Sequence, residues 1–422
     1  TYYSYNQNDR YFFQEFLNSD HTPTGSDSTQ QQLNDTWNHG YNLRGSYDKM
    51  LDNKKTFFST GAFYNFSSSH VVLNSSFLKK PEGIMVKSDL LSNDFRFNQT
   101  ITNLRFSVKQ VFSAGFSATA GINAENTEVA FDLYKMQDGV LNNYWSLLPF
   151  ANINRNWKDK LNVSLAYRRT IRRPGIWEMN PSIDYGDPYN LRFGNPYLKP
   201  SMAHTVDFVV GKTKPKFYLN FGLGYNIIED IYSQLRSLLP DGKTQITWQN
   251  INNRTEYEAS TWSGYTISRK LRINVSASYT YNQYSLRDRT VNRYRNGGSL
   301  SSNLNSSFIP KDIWNYTGSF TFNRFANPQG TVRSNISMNL GIQRKWLNKQ
   351  LVTTINFIDP FRQQKNRSFT YAPNFNLETY NSTQTRNIRL TVAYNFSNAP
   401  KKKKVDPKAQ QKIKEMMKKK QG

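Results

Sequence analysis

Hydrophobic and polar residues alternate with period two over long stretches of this chain. Leu271, Ile273, Val275, Ala277, Tyr279 and Tyr281 alternate with Arg272, Asn274, Ser276, Ser278 and Thr280. Ile388, Leu390, Val392, Tyr394 and Phe396 repeat the pattern, as do Phe217 to Tyr225 and Leu161 to Tyr167. Successive strand side chains point to opposite faces, so each stretch reads as a strand with one apolar and one polar face. The stretches run about 10–16 residues, against about 5–6 for a globular strand and about 9–11 for one that crosses lipid.

The connections are of two kinds. Short polar turns fall at Leu51–Lys54, Trp157–Lys160, Lys212–Pro215, Ser268–Lys270, Ile309–Asp312 and Trp346–Lys349, with a less polar one near Val111–Gly115. Between them lie longer excursions at 19–36, 71–91, 128–141, 174–200, 234–243, 288–296, 326–330 and 359–384. Strict alternation of short and long connections is the pattern of an antiparallel transmembrane β-barrel. About sixteen strands follow: 1–16 (a poor one), 38–50, 55–69, 92–108, 114–127, 143–156, 160–173, 201–212, 216–233, 244–267, 270–287, 297–309, 313–325, 331–345, 349–370 and 385–396. Register shifts are expected between Ile101 and Leu104 and around Asp359-Pro360-Phe361, where proline interrupts the ladder. If the last strand ends in the periplasm at Phe396, every short turn comes out periplasmic and every long loop extracellular.

Composition agrees with this reading. Hydrophobic residues make up only 37%, yet aromatics reach 15%, with 26 Tyr and 28 Phe. A barrel needs apolar side chains only at alternate positions and gathers aromatics at the two membrane interfaces. No apolar run is long enough for a transmembrane helix. No signal peptide is visible at Thr1, so it has been removed or the chain starts downstream of it. With no cysteine there is no disulfide framework and no thiolate metal site. The formal charge is +25, and the stretch from Ser397 carries ten Lys against Asp406 and Glu415. That splits the chain into a barrel, 1–396, and a basic tail, 397–422, expected to be periplasmic and either disordered or a short helix. The alternation accounts for the interleaved Tyr and Arg, so no nucleic-acid partner is expected.

Between Tyr167 and Phe208 lies the most distinctive stretch. Arg173-Pro174 closes a strand, a long loop follows, and Gly194-Asn195-Pro196-Tyr197-Leu198-Lys199-Pro200 opens the next strand. With Asp187-Pro188-Tyr189-Asn190, Trp145 to Ile153, Pro328-Gln329-Gly330, Asn356 to Phe361 and the terminal aromatic Phe396, this resembles TonB-dependent outer-membrane receptors. It is most similar to the outer membrane protein beta-barrel branch common in Bacteroidota. The resemblance implies that this chain is the C-terminal barrel portion of a 22-strand receptor whose N-terminal plug, first strands and TonB box are not recognisable here. It also implies residence in the outer membrane against lipid and lipopolysaccharide. Expected partners are an inner-membrane TonB complex, where the full-length chain has a plug and TonB box, and a surface lipoprotein.

Candidate chemistry is that of binding, and enzyme activity is not expected. His21, His39, His70 and His204 are scattered without ligand spacing, and there is no phosphate loop or nucleophile elbow. No metal site and no cofactor are expected. By period two, Arg168 and Arg172 face the lumen, where they either favour anionic solutes or pair with lumen carboxylates or a plug. Arg192 and Asp187, on the long loop, are further substrate-facing candidates. A turn role for Asp184 and Asp187 beside Gly186 and Pro188 is the alternative to cation binding. Arg169 and Arg173 face outward, near the outer headgroups, where guanidinium groups suit lipopolysaccharide phosphates. Arg287, Arg289, Arg293 and Arg295 form an extracellular-loop cluster, either anion-binding or simply solvated. The leading functional expectation is energised, TonB-dependent uptake of a solute. A non-transporting scaffold in an assembly or secretion complex is the alternative, and a passive anion-selective pore the third.

Overall fold

In the computed structural model, residues 1–396 are described except Pro81, Leu90, Ala114, 135–138, 158–160, Ser182, 184–188, Asn252, 286–295 and 373–374; the basic tail lies outside the described residues. The first strands are β1 (Tyr2–Leu17), β2 (Pro23–Met50), β3 (Thr56–Lys79), β4 (Ile84–Lys87), β5 (Asn93–Ser113), β6 (Phe116–Leu133), β7 (Val140–Trp157) and β8 (Leu161–Arg172). A one-turn helix α1 (Ile176–Met179) follows, then β9 (Asn190–Phe193), β10 (Ser201–Lys214), β11 (Phe217–Glu229), β12 (Tyr232–Leu238), β13 (Thr244–Asn250) and β14 (Asn253–Thr266). The chain ends in β15 (Leu271–Ser285), β16 (Gly297–Phe308), β17 (Trp314–Asn327), β18 (Gly330–Trp346), β19 (Leu351–Ile358), β20 (Lys365–Tyr371), β21 (Asn376–Ser382) and β22 (Asn387–Tyr394).

Each wall strand pairs antiparallel with the next. The wall has sixteen passes when β19 with β20, and β21 with β22, are taken as interrupted single passes and β4, β9, β12 and β13 are set aside. Among the described residues β1 pairs only with β2 and β22 only with β19, so the sheet is open. Cross-strand partners share a face, which makes the register legible from side to side. Leu223, Ala259, Tyr279 and Leu300 form one outward row, and Gly222, Ser260, Ser278 and Ser301 an inward one.

The wall strands run longer than the alternation suggests. β2 and β3 take 28 and 24 residues; β2 absorbs most of the expected loop at 19–36, and β3 runs on through Lys79 into the one at 71–91. Likewise, 1–16 is a full strand, paired with β2 from Tyr2↔Gly40 to Leu17↔Pro23. Beyond the lipid band both strand faces are polar or packed, so the ladder continues after the alternation has gone. The expected strand 244–267 is instead two, with its first half folded out of the wall as β13. The register shift expected between Ile101 and Leu104 is absent; both ladders of β5 run unbroken there, which puts Ile101 on the inner face beside Asn65. The break at Asp359 is present. Asp359 has a positive φ, is 1% exposed, and accepts from the Gln363 amide at 2.8 Å and the Thr385 hydroxyl at 2.8 Å.

Short turns are closed by side chains imitating backbone. The Asn53 carboxamide oxygen accepts from the Lys55 and Thr56 amides at 2.9 Å, and the Ser268 hydroxyl accepts from the Lys270 and Leu271 amides. At the other end the wall carries a small apolar core. Val71, Phe95, Phe97, Val129, Phe131 and Leu133 line the inner face of β3, β5 and β6, and Met179 of α1 packs onto them. Burying Met179 to 1% exposure contributes about 1.5–3 kcal/mol. The excursion 174–200 therefore folds back over the inner face.

Candidate functional site

Pro174 cannot continue the β8 ladder, and the chain turns inward there. The turn carries Arg173 with it. Parity would put this side chain outside, but the strand ends at Arg172, and Arg173 instead pairs with the carboxylate of Glu125 and donates from Nε to the Thr127 hydroxyl at 3.0 Å. Both partners lie on the inner face of β6. The outward placement expected for Arg173 is thus corrected. Its carbonyl accepts from the Tyr232 hydroxyl at 2.8 Å, tying β8 to β12.

The other arginines fall where period two puts them. Arg168 is on the inner face and bonds Asp207 at 2.7 Å. Arg172 shares that face, lies 3.8 Å from Glu178, and sits over the Tyr232 ring at 4.6 Å. Arg169 is on the opposite face, with a guanidinium nitrogen 3.3 Å from the Leu147 carbonyl. Arg168 and Arg172 each lie within ion-pair reach of a carboxylate, that of Asp207 and that of Glu178. Asp184 and Asp187, like Arg287, Arg289, Arg293 and Arg295, lie outside the described residues.

The Gly194–Pro200 motif is an assembly device. A Cβ on Gly194 would lie 2.6 Å from the backbone of Glu178 and Asn180, so only glycine lets the two segments cross. The Gly194 amide donates to the Asn180 carbonyl and the Asn195 amide to that of Glu178. The Asn195 side chain reaches the Trp248 carbonyl at 3.1 Å, Leu198 is buried, and Asn250 grips the backbone of Lys199 from both sides. β12 and β13 form a hairpin to which β9 adds in parallel. Gln329 clamps this small sheet to the wall. Its side chain accepts from the Arg236 amide at 2.9 Å and donates to the Arg236 carbonyl at 3.0 Å.

Between the small sheet and the inner face of β1–β3 lies a cavity of about 210 Å³. Arg10, Gln32, Asn34 and Leu73 line it from the wall; Trp177, Asn180, Ile183, Arg192, Phe193, Gly194, Gln234 and Trp248 line it from the loops. A second recess of about 360 Å³ shares Ile183, Phe193, Gly194 and Trp248 with it and adds Pro196 and Tyr197. Arg192 is thus at the site. Burial weakens the basicity of neighbouring Arg236, and the Arg192 charge weakens it further. Among the described residues no carboxylate lines the cavity. Gln32 is 5% exposed, and its amide nitrogen has no hydrogen-bond partner. Alternation offered no reason to pick out Gln32, Gln234, Trp177 or Trp248; the only signals were the amide-rich run Gln30 to Asn34 and the tryptophan just after Pro174.

His39, His70 and His204 lie on wall strands, and His21 in the turn between β1 and β2. His70 bonds Asp94 at 2.8 Å, and His204 bonds the Tyr167 hydroxyl at 2.9 Å. Among the described residues no three His, Cys, Asp or Glu side chains cluster to hold a metal ion.

Fold and mouth together define an outer-membrane β-barrel protein. The profile of the outer membrane protein beta-barrel family matches residues 1–394, and the chain belongs to that family. Similar solved structures include the ferric citrate transporter FecA in its unliganded form (12% identity, TM-score 0.60, 93% of this chain and 59% of that one). The copper transporter OprC matches at 11% identity and TM-score 0.59 over 85% of this chain and 56% of that one. The ferric yersiniabactin uptake receptor FyuA from Yersinia pestis matches at 10% identity and TM-score 0.57, over 94% and 59%. These likenesses are of fold, and the chain spans just over half the length of each structure. No curated protein sequence matches it.

Proposed function

We propose that this chain is the barrel portion of an outer-membrane receptor that takes up a solute by TonB-dependent transport. The observation that carries the reading is the mouth. An inward-folded loop, fixed by buried polar pairs, leaves a recess lined by tryptophan, amide and arginine side chains, which suits capture better than free diffusion. In this reading the long loops are extracellular, and the short turns and the tail from Ser397 are periplasmic. The outer apolar band meets lipid, and Arg169 meets lipopolysaccharide phosphates. Where the full-length chain carries a plug and TonB box, an inner-membrane TonB complex supplies force through that plug, and a surface lipoprotein docks over the loops. Function resides in the site rather than the fold, so the solutes named for FecA, OprC and FyuA are not carried over.

The test is uptake by cells expressing the gene from its native start, before and after collapse of the proton gradient. Uptake should stop on collapse and on loss of the TonB complex. Persistent conductance of the purified protein in planar bilayers, indifferent to both, would establish a passive pore instead. Absence of any uptake, with a stable co-purifying complex, would establish the scaffold.

A further inference from the structure

Resting on the receptor reading above, we propose that the mouth cavity takes the end of an acidic oligosaccharide. Its carboxylate meets Arg192, its sugar faces lie on Trp177 and Trp248, and its hydroxyls bond the amides of Gln32, Asn34 and Gln234.

A sugar hydroxyl both donates and accepts, and a carboxamide offers both functions within one side chain. Three such amides converge on a cavity that no described carboxylate lines. Gln32 supplies a separate pointer to a ligand. It is a wall residue on the inner face, opposite Arg10 and Ser75, 95% withdrawn from solvent, with its amide nitrogen unpaired. A buried donor left without an acceptor is unfavourable, and a ligand oxygen relieves it. Trp177 is 70% exposed at the cavity edge, presenting a rigid apolar face with a polar handle, which matches the C–H face of a pyranose. Arg192 and Arg236 are close enough for one to weaken the other's basicity, and an anion placed beside Arg192 relieves that repulsion. A guanidinium holds a carboxylate through two parallel bonds.

The inner wall continues the same chemistry. From the cavity level down, β15 to β18 present hydroxyls and amides such as Ser278, Ser301, Asn303, Thr321 and Asn339. A hydroxyl-rich solute finds partners at each level there, and the inner-face charges of these strands, Arg272 and Lys345, lie at the short-turn rim.

The experiment uses the full chain folded in detergent micelles, with its heat-modifiable gel mobility as the folding control. Trigalacturonate, its neutral methyl ester and triglutamate are titrated by calorimetry and tryptophan fluorescence. Trigalacturonate should bind at least about tenfold more tightly than either of the others, the order expected of one charge-assisted bidentate contact. Arg192→Gln should lower trigalacturonate to the affinity of the ester and leave the ester unchanged. Trp177→Ala should weaken both sugars. The proposal is overturned if folded protein binds neither sugar, if triglutamate binds as tightly as trigalacturonate, or if Arg192→Gln leaves the acid-to-ester ratio unchanged. Loss of sugar binding with energy-dependent uptake retained removes this assignment alone; sugar binding without energy-dependent uptake removes the receptor reading alone.

Discussion

Two halves of the inner wall obey the same alternation and are built from opposite chemistry. From β5 to β14 the inner face carries Arg105, Glu125, Arg168, Arg172, Asp207, Glu256 and Glu258. From β15 to β19 it carries Asn274, Ser276, Ser278, Ser301, Asn303, Asn305, Thr317, Ser319, Thr321, Asn339, Gly341 and Asn356; its charges, Arg272 and Lys345, are confined to the short-turn rim. The charged half is where the loop is fastened: Arg172 and Arg173 reach Glu178 and Glu125, while Tyr232 caps the turn between them. Within the neutral half neutral side chains bond one another, as Asn303 to Thr321 at 3.1 Å and Ser301 to Asn323 at 2.7 Å, and at its border Ser278 donates to Glu258 at 3.2 Å. The difference teaches that a polar strand face has two uses. Buried charge pairs fix one arrangement, because either partner alone is costly. Small hydroxyls and amides leave a surface wettable and exchangeable.

The comparison breaks first at Arg173. Arg173→Met leaves Glu125 buried without its partner and should cost about 3–5 kcal/mol. Limited proteolysis within 174–200 should appear in this variant and be suppressed again in the double variant Arg173→Met, Glu125→Gln. If the single variant stays as protected as the parent, the pair does not fasten the loop. A smaller effect is expected at the clamp. Gln329→Ala removes two hydrogen bonds to Arg236 and should cost about 1–3 kcal/mol, read as faster hydrogen exchange confined to β12 and β13. Exchange spreading evenly through β17 and β18 would mean that Gln329 supports the wall instead. Least of all should happen on the neutral half. Thr321→Ala should shift thermal stability by no more than about 0.5 kcal/mol, since the neighbouring Asn303 amide is left on a wet surface. A large loss there would show that the neutral wall is as rigidly specified as the charged one.

Much of the wall was legible because a strand's period is independent of what lies beyond it. Leu161, Val163, Leu165 and Tyr167 show their outer face in sequence, and Arg168 and Arg172 follow by parity. Parity fails at Arg173 because it holds only while the strand lasts, and proline ended the strand one residue early. The upper halves of β2 and β3 were read as loops because alternation records a lipid boundary, and above that boundary no lipid imposes it. The cavity was the least legible. Gln32 and Arg192 are 160 positions apart in the chain, and no local pattern relates them.

The sequence by itself determined the antiparallel barrel wall, the order of its sixteen passes, the two kinds of connection and which side of each strand is apolar. These follow from steric alternation and from the polarity of whatever each face meets. Only the tertiary structure decided that the arginine- and proline-rich excursion turns inward, that Gly194 and Asn195 serve as its fastening, and that Gln32 and Arg192 share a cavity. Those outcomes depend on which strands lie beside one another, and on the high cost of a buried charge left unpaired, which only a partner distant in the chain can remove.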